Sequence, residues 1–170
     1  MELAFTLICS AFGIYFAIYL AKWVMQKDDG TPEMRLISDA IREGAEAFLR
    51  RQYTTIALLA VLLTAVLYVI YAFLRPENAA DPVPRAQLAW YVAGSFVFGA
   101  LCSGIAGYIG MYVSIRTNIR TASASRTSLN DGLQIALRGG AVSGLFVVAM
   151  SLIGVGGMAA VIRANDLQLG

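Results

Sequence analysis

The chain has 170 residues, 58% of them hydrophobic and only 14% charged, whereas a soluble domain of this size is nearer about 45–50% apolar and about 25% charged. The mean hydropathy is +0.67, and a formal net charge of +2 with the basic residues in connecting stretches argues against a nucleic-acid partner. With no histidine and only two cysteines, Cys9 and Cys102, far apart inside apolar blocks, a zinc or redox motif has nothing to build on. Both read as small hydrophobes in helix packing, a reactive thiol being the lesser alternative.

The apolar content collects in four blocks, each meeting the roughly 20 residues that a helix needs to cross about 30 Å of hydrocarbon. The first, about 3–24, has no basic leader and is too long for a signal peptide. It reads as a span anchored at its far end by Lys22 and Trp23. After a Lys27-Asp28-Asp29-Gly30-Thr31-Pro32 turn, Thr31 is placed to cap a helix whose first residue is Pro32. Ile37, Ile41, Ala45, Phe48 and Leu49 then recur at helical spacing opposite Arg42, Glu43 and Glu46. With no breaker in between, one long helix is expected from Pro32 to Leu74. Its second half is span two, about 54–74, and its first half projects into the cytoplasm.

Pro76, Pro82 and Pro84 make 75–87 an extended outer connector. Spans three and four follow at about 88–113 and 139–162. None of the four blocks contains an interior Asp, Glu, Lys or Arg. Spans three and four carry small residues four apart: Gly99, Ser103 and Gly107, then Ala100 and Gly104, then Gly140 and Gly144. That spacing suits close helix packing in lipid and is preferred to a glycine-lined substrate path.

The fold class is therefore all-α and polytopic, one membrane domain over 1–170. Lys22, Lys27, Arg35, Arg42, Arg50, Arg51, Arg116, Arg120, Arg126 and Arg138 lie around 25–53 and 114–138, against Arg75, Arg85 and Arg163 elsewhere. Ten basic residues against three make 25–53 and 114–138 the cytoplasmic loops and put both chain ends on the non-cytoplasmic side.

Chemistry is sparse. Transport through a span usually needs an embedded ionisable group, and the spans offer only hydroxyls: Thr6, Ser10, Thr64, Ser95, Ser103, Ser143 and Ser151. These can bond back to helix carbonyls, so structural roles are preferred to functional ones. A Ser-His-Asp set is impossible without histidine, and no Gly-rich loop ends in Gly-Lys-Ser/Thr. Asp28, Asp29, Glu33, Asp39, Glu43 and Glu46 can in principle gather Mg²⁺. Their alternation with Arg35, Arg42, Arg50 and Arg51 favours a solvated helix face. The basic stretch from Arg116 to Arg138, with Asp131 its one acid, suits anionic lipid headgroups or topology determination, with a bound phosphate the alternative.

Three stretches carry a resemblance. Ile41-Arg42-Glu43-Gly44-Ala45-Glu46-Ala47-Phe48-Leu49-Arg50-Arg51-Gln52-Tyr53-Thr54-Thr55-Ile56 is similar to the entry into the second helix of membrane-bound, ion-pumping pyrophosphatases. Gly107-Tyr108-Ile109-Gly110-Met111-Tyr112-Val113-Ser114-Ile115-Arg116-Thr117-Asn118-Ile119-Arg120-Thr121-Ala122 likewise resembles a signature of that family. Leu133-Gln134-Ile135-Ala136-Leu137-Arg138-Gly139-Gly140-Ala141-Val142-Ser143-Gly144-Leu145 resembles the entry into the fourth helix, and Gly30-Thr31-Pro32-Glu33-Met34 is in keeping. The order and spacing are those of the family over essentially the whole chain.

The resemblance implies a homodimeric pump with two concentric rings of helices, hydrolysing Mg²⁺-pyrophosphate and moving H⁺ or Na⁺ out of the cytoplasm. The first four helices belong to its outer ring, beside the lipid bilayer and the pump's remaining helices, and its N-terminus faces away from the cytoplasm. The family's acidic substrate motifs start beyond the fourth helix, so no catalytic, cofactor-binding or metal residue is assigned here, and Mg²⁺ is implied by the family alone. The expectation is the N-terminal portion of such a pump, inactive by itself, in a prokaryotic inner membrane. The alternatives are a free-standing four-helix scaffold or truncated gene product and, weakest, a small dimeric transporter.

Overall fold

The computed structural model describes residues 2–76 and 83–169. Four helices follow one another: α1 (Glu2–Met25), α2 (Pro32–Val69, closing in a π-helical turn Ile70–Leu74), α3 (Arg85–Ser125) and α4 (Leu129–Leu169). All four are long and apolar enough to cross a membrane, so this is an integral, multi-pass membrane protein of the all-α class.

The helix starts follow from local chemistry. Thr31 Oγ1 accepts from Met34 N–H at 3.4 Å, and Pro32 occupies the first turn where no amide donor is needed. The long helix expected from Pro32 to Leu74 is thus present. The outer connector is shorter than the sequence reading has it: α3 begins at Arg85, directly after Pro84, so Arg85 to Gln87 are helical; residues 77–82, with Pro82, lie outside the described residues. The segment 114–138 between spans three and four is mostly helical. α3 runs on to Ser125 and α4 starts at Leu129, leaving a tight turn in which Ser128 Oγ accepts from Asp131 N–H at 3.2 Å. Ser128 is the helix start signal, and nothing before Arg126 breaks α3.

α3 and α4 run antiparallel in close contact. Ser143 Oγ donates to Gly110 O at 3.3 Å, Gly139 lies against Thr117, and Gly154 lies against Cys102. α1 packs antiparallel to α4, with Ser10 Oγ donating to Ala149 O at 2.7 Å. Ala17 and Leu20 of α1, Ala106 and Val113 of α3, and Val142 and Phe146 of α4 form the core cluster.

α2 stands apart: it has no buried residue. It leans antiparallel on α3 through Tyr53, whose hydroxyl donates to Gly104 O at 2.9 Å, and through Tyr68, which packs on Trp90 at 5.0 Å between ring centroids. Of the apolar face expected on its first half, Ala45 and Leu49 turn toward the bundle, with Met34, Ser38 and Tyr53 on the same stripe. Ile37, Ile41 and Phe48 do not: they are 61%, 59% and 56% exposed. Ile37, Ile41 and Phe48 sit to one side of that stripe and Arg35, Asp39, Arg42 and Glu46 to the other, so only a narrow seam meets α3.

Candidate functional site

The polar residues concentrate where α1 hands over to α2. Gly30 takes the turn at φ +82, a conformation open to glycine, and an added Cβ there would meet Met34 Sδ at 2.8 Å. Asp28 anchors this turn to the end of α3: its carboxylate accepts from Ser123 Oγ at 2.6 Å and from Gly30 N–H at 3.1 Å. Those two bonds, the Ser123 hydroxyl foremost, hold its pKa below the ordinary carboxylate value. Glu33 is lowered as well, by its own backbone N–H and by the Thr31 hydroxyl at the helix start. Arg120 ties α3 to α1 by donating to Met25 O at 3.2 Å.

Trp23 is the centre of the junction. Lys27 Nζ lies 4.1 Å and the Arg138 guanidinium 3.8 Å from its ring, so the interfacial anchor read from Lys22 and Trp23 also gathers two cations. A cavity of about 570 Å³ opens beside it, lined by Trp23, Lys27, Asp28, Ser123, Arg126 and Asp131 among others. A second, of about 470 Å³, lies between α2 and α3, where Tyr53, Tyr108 and Tyr112 gather with Arg50 and Arg116.

The acidic residues of the sequence reading disperse. Asp29 pairs with Arg35 at 2.9 Å, while Arg42 bridges Glu46 at 3.2 Å and Asp39 at 3.7 Å along the helix face. Asp28 is engaged by Ser123 and Gly30. Among the described residues no three metal-ligating side chains come together. The Mg²⁺ implied by the resemblance therefore does not fit a donor set in this stretch: Asp29, Asp39 and Glu46 face arginines and Asp28 faces Ser123 and Gly30, with no common point among the described residues.

The intramembrane hydroxyls divide. Thr64, Ser95 and Ser151 bond back to Ala60, Tyr91 and Val147 of their own helices. Ser10 and Ser143 instead donate across to neighbouring helices, a structural role of another kind. Cys9 is exposed and Cys102 buried, both as free thiols.

The small-residue repeats divide likewise. An added Cβ at Gly107 would meet Tyr53 Oη at 2.8 Å, but at Gly99, Gly140 and Gly144 it would meet nothing. The close approaches come from Gly110, Gly132 and Gly139, against Ser143, Ser125 and Thr117. Ser123 was missed as a functional position. Its partner Asp28 is far away in sequence, and a lone serine near a helix end carries no local signal.

Comparison with known proteins supplies the rest. The chain is 48% identical over 155 residues, 90% of its length, to a pyrophosphate-energized membrane proton pump from the plant Arabidopsis thaliana. It is 46% identical over 138 residues, 81% of its length, to a K⁺-insensitive pyrophosphate-energized proton pump from Caldanaerobacter subterraneus. To a pump of the same description from Methanosarcina mazei it is 37% identical over 155 residues, 91% of its length. These matches cover only 19%, 19% and 21% of the relatives, so the chain spans about a fifth of their length. No solved structure matches the chain. The family described as inorganic H⁺ pyrophosphatase matches residues 11–169, and the chain belongs to that family.

Proposed function

We propose that this chain forms outer helices of a pyrophosphate-energised pump, in which hydrolysis of Mg²⁺-pyrophosphate drives H⁺, or Na⁺, across the membrane. The family match over 11–169, in a chain spanning about a fifth of its relatives, carries this reading. The dispersal of the carboxylates into pairs with arginines supports placing catalytic, cofactor and metal residues elsewhere in the pump. The chain's own role is to pack: its partners are the lipid bilayer, the pump's remaining helices and, through them, a second copy of the pump.

The turn 26–31 and the turn 126–128 lie on the cytoplasmic side in this proposal, and both chain ends lie opposite. Ten basic residues against three support the orientation.

The test is a hydrolysis assay on the purified chain. No Mg²⁺-dependent release of phosphate from pyrophosphate is expected, and turnover above a no-protein control would contradict the assignment of catalysis to other parts of the pump.

A further inference from the structure

A third cavity lies between α2 and α3, lined by Asp29, Arg35, Ser38, Asp39, Arg42, Arg116 and Arg120 with two isoleucines. Its four arginines face two aspartates. Arg35 and Arg42 are already engaged, with Asp29 and with Glu46 and Asp39. Arg116 and Arg120 are not: neither has an ion-pair partner among the described residues. Arg116 stacks on the Tyr112 ring at 3.5 Å and donates to Tyr112 O at 3.2 Å. Arg120 donates to Arg116 O at 2.7 Å and to Met25 O at 3.2 Å, and its Nε is buried without any partner. A guanidinium held this way has part of its donor fork left unsatisfied, which is costly unless an acceptor arrives.

The two arginines are one helical turn apart, so their heads share a face of α3. The cavity measures about 190 Å³, which admits one phosphate group. Planar guanidinium forks match phosphate oxygens better than any other cationic side chain. Arg120 also lies beside the end of α1, where Lys22 and Trp23 mark headgroup depth.

We propose that Arg116 and Arg120, with the Ser38 hydroxyl across the cavity, form a site for a single phosphate group, borne either by an anionic phospholipid or by free phosphate. The site rests on the geometry of α2 and α3 and does not depend on the pump reading.

The experiment uses the full 170-residue chain in neutral detergent, titrated in two arms at constant ionic strength. One arm follows binding of inorganic phosphate against chloride. The other counts bound phosphatidylglycerol against phosphatidylcholine by native mass spectrometry. Saturable one-to-one binding in the first arm assigns a soluble anion; in the second alone it assigns a lipid headgroup; either supports the site. Arg116→Gln is expected to weaken binding about tenfold or more, as loss of one charge-assisted contact does. Arg116→Lys should recover only part of that loss, and Arg163→Gln, outside the cavity lining, should leave binding unchanged. Arg120→Gln also removes the bond to Met25, so the Arg116 variants carry the test if it fails to fold. No one-to-one binding of either probe, or unchanged binding by Arg116→Gln, would overturn the proposal.

Discussion

α1, α3 and α4 form one packed unit, while α2 borrows a place on its side. In the packed unit Val142 and Ala149 are 0% and 2% exposed; in α2 Leu58 and Val61 are 69% and 70% exposed. By composition alone the four blocks look alike, because lipid and a neighbouring helix are equally apolar. Small side chains at the crossing points make the difference. Gly110 meets Ser143, Gly139 meets Thr117, and Ser10 reaches the Ala149 carbonyl, letting backbones approach. α2 meets α3 along a narrow seam, with Tyr53 and Tyr68 as its reaching side chains, and leaves the rest of its apolar surface toward lipid or further helices.

The largest expected effect comes from filling a close contact. A Cβ on Gly139 would run into Thr117, whereas one on Gly140 meets nothing. Gly139→Ala should cost about 1–3 kcal/mol through overpacking, while Gly140→Ala should be neutral or slightly stabilising because alanine favours the helix. Thermal unfolding of the two variants in one detergent would measure this, and equal losses would break the contrast between contact and open glycines.

Removing the inter-helix hydroxyl ranks next. Ser10→Ala should lose about 0.5–1.5 kcal/mol, the worth of one hydrogen bond, with some addition for the buried carbonyl left behind. Thr64→Ala, whose hydroxyl only serves its own helix at Ala60, should change stability by a few tenths of a kcal/mol at most. If the two variants melt together, Ser10 is not a link between helices.

Tyr53→Phe sharpens the peripheral side of the comparison. It removes the bond to Gly104 but keeps the ring against Tyr108, so a loss of about 0.5–1 kcal/mol is expected. The loss should appear as early release of α2, read by proteolysis in its first half, with α1, α3 and α4 still packed. Cooperative unfolding of all four helices in this variant would show that α2 is not peripheral.

The smallest effect is acid-dependent. The Asp28 carboxylate has a folded pKa below its ordinary 3.8, so its bonds to Ser123 and Gly30 contribute stability fully above that value. The contribution is lost as the pH falls through the lowered folded pKa. Asp28→Asn should therefore flatten the acid limb of a stability profile as the pH falls below the ordinary carboxylate value of 3.8; an unchanged profile there would show that the α1–α2 turn is not held to α3 by this charge.

Local signals were legible and distant ones were not. The helix from Pro32 to Leu74 and its Thr31 cap rest on neighbouring residues, and both are present. Ser128 is equally local as a helix start, though the sequence reading does not single it out. Ile37, Ile41 and Phe48 are apolar at helical spacing yet exposed, because periodicity finds an apolar face without saying what covers it. The bond from Ser123 to Asp28 and that from Ser10 to Ala149 join residues on different helices. They exist only once the helices are placed side by side.

Complementation tests the central claim most directly. The Caldanaerobacter subterraneus relative, which the chain matches over 138 residues, would be expressed without that matching stretch, alone and together with this chain. Pyrophosphate-dependent acidification of inverted membrane vesicles would then be measured. Acidification only when both polypeptides are present is the expected result; acidification that is the same without the chain would contradict its role as a packing part of the pump.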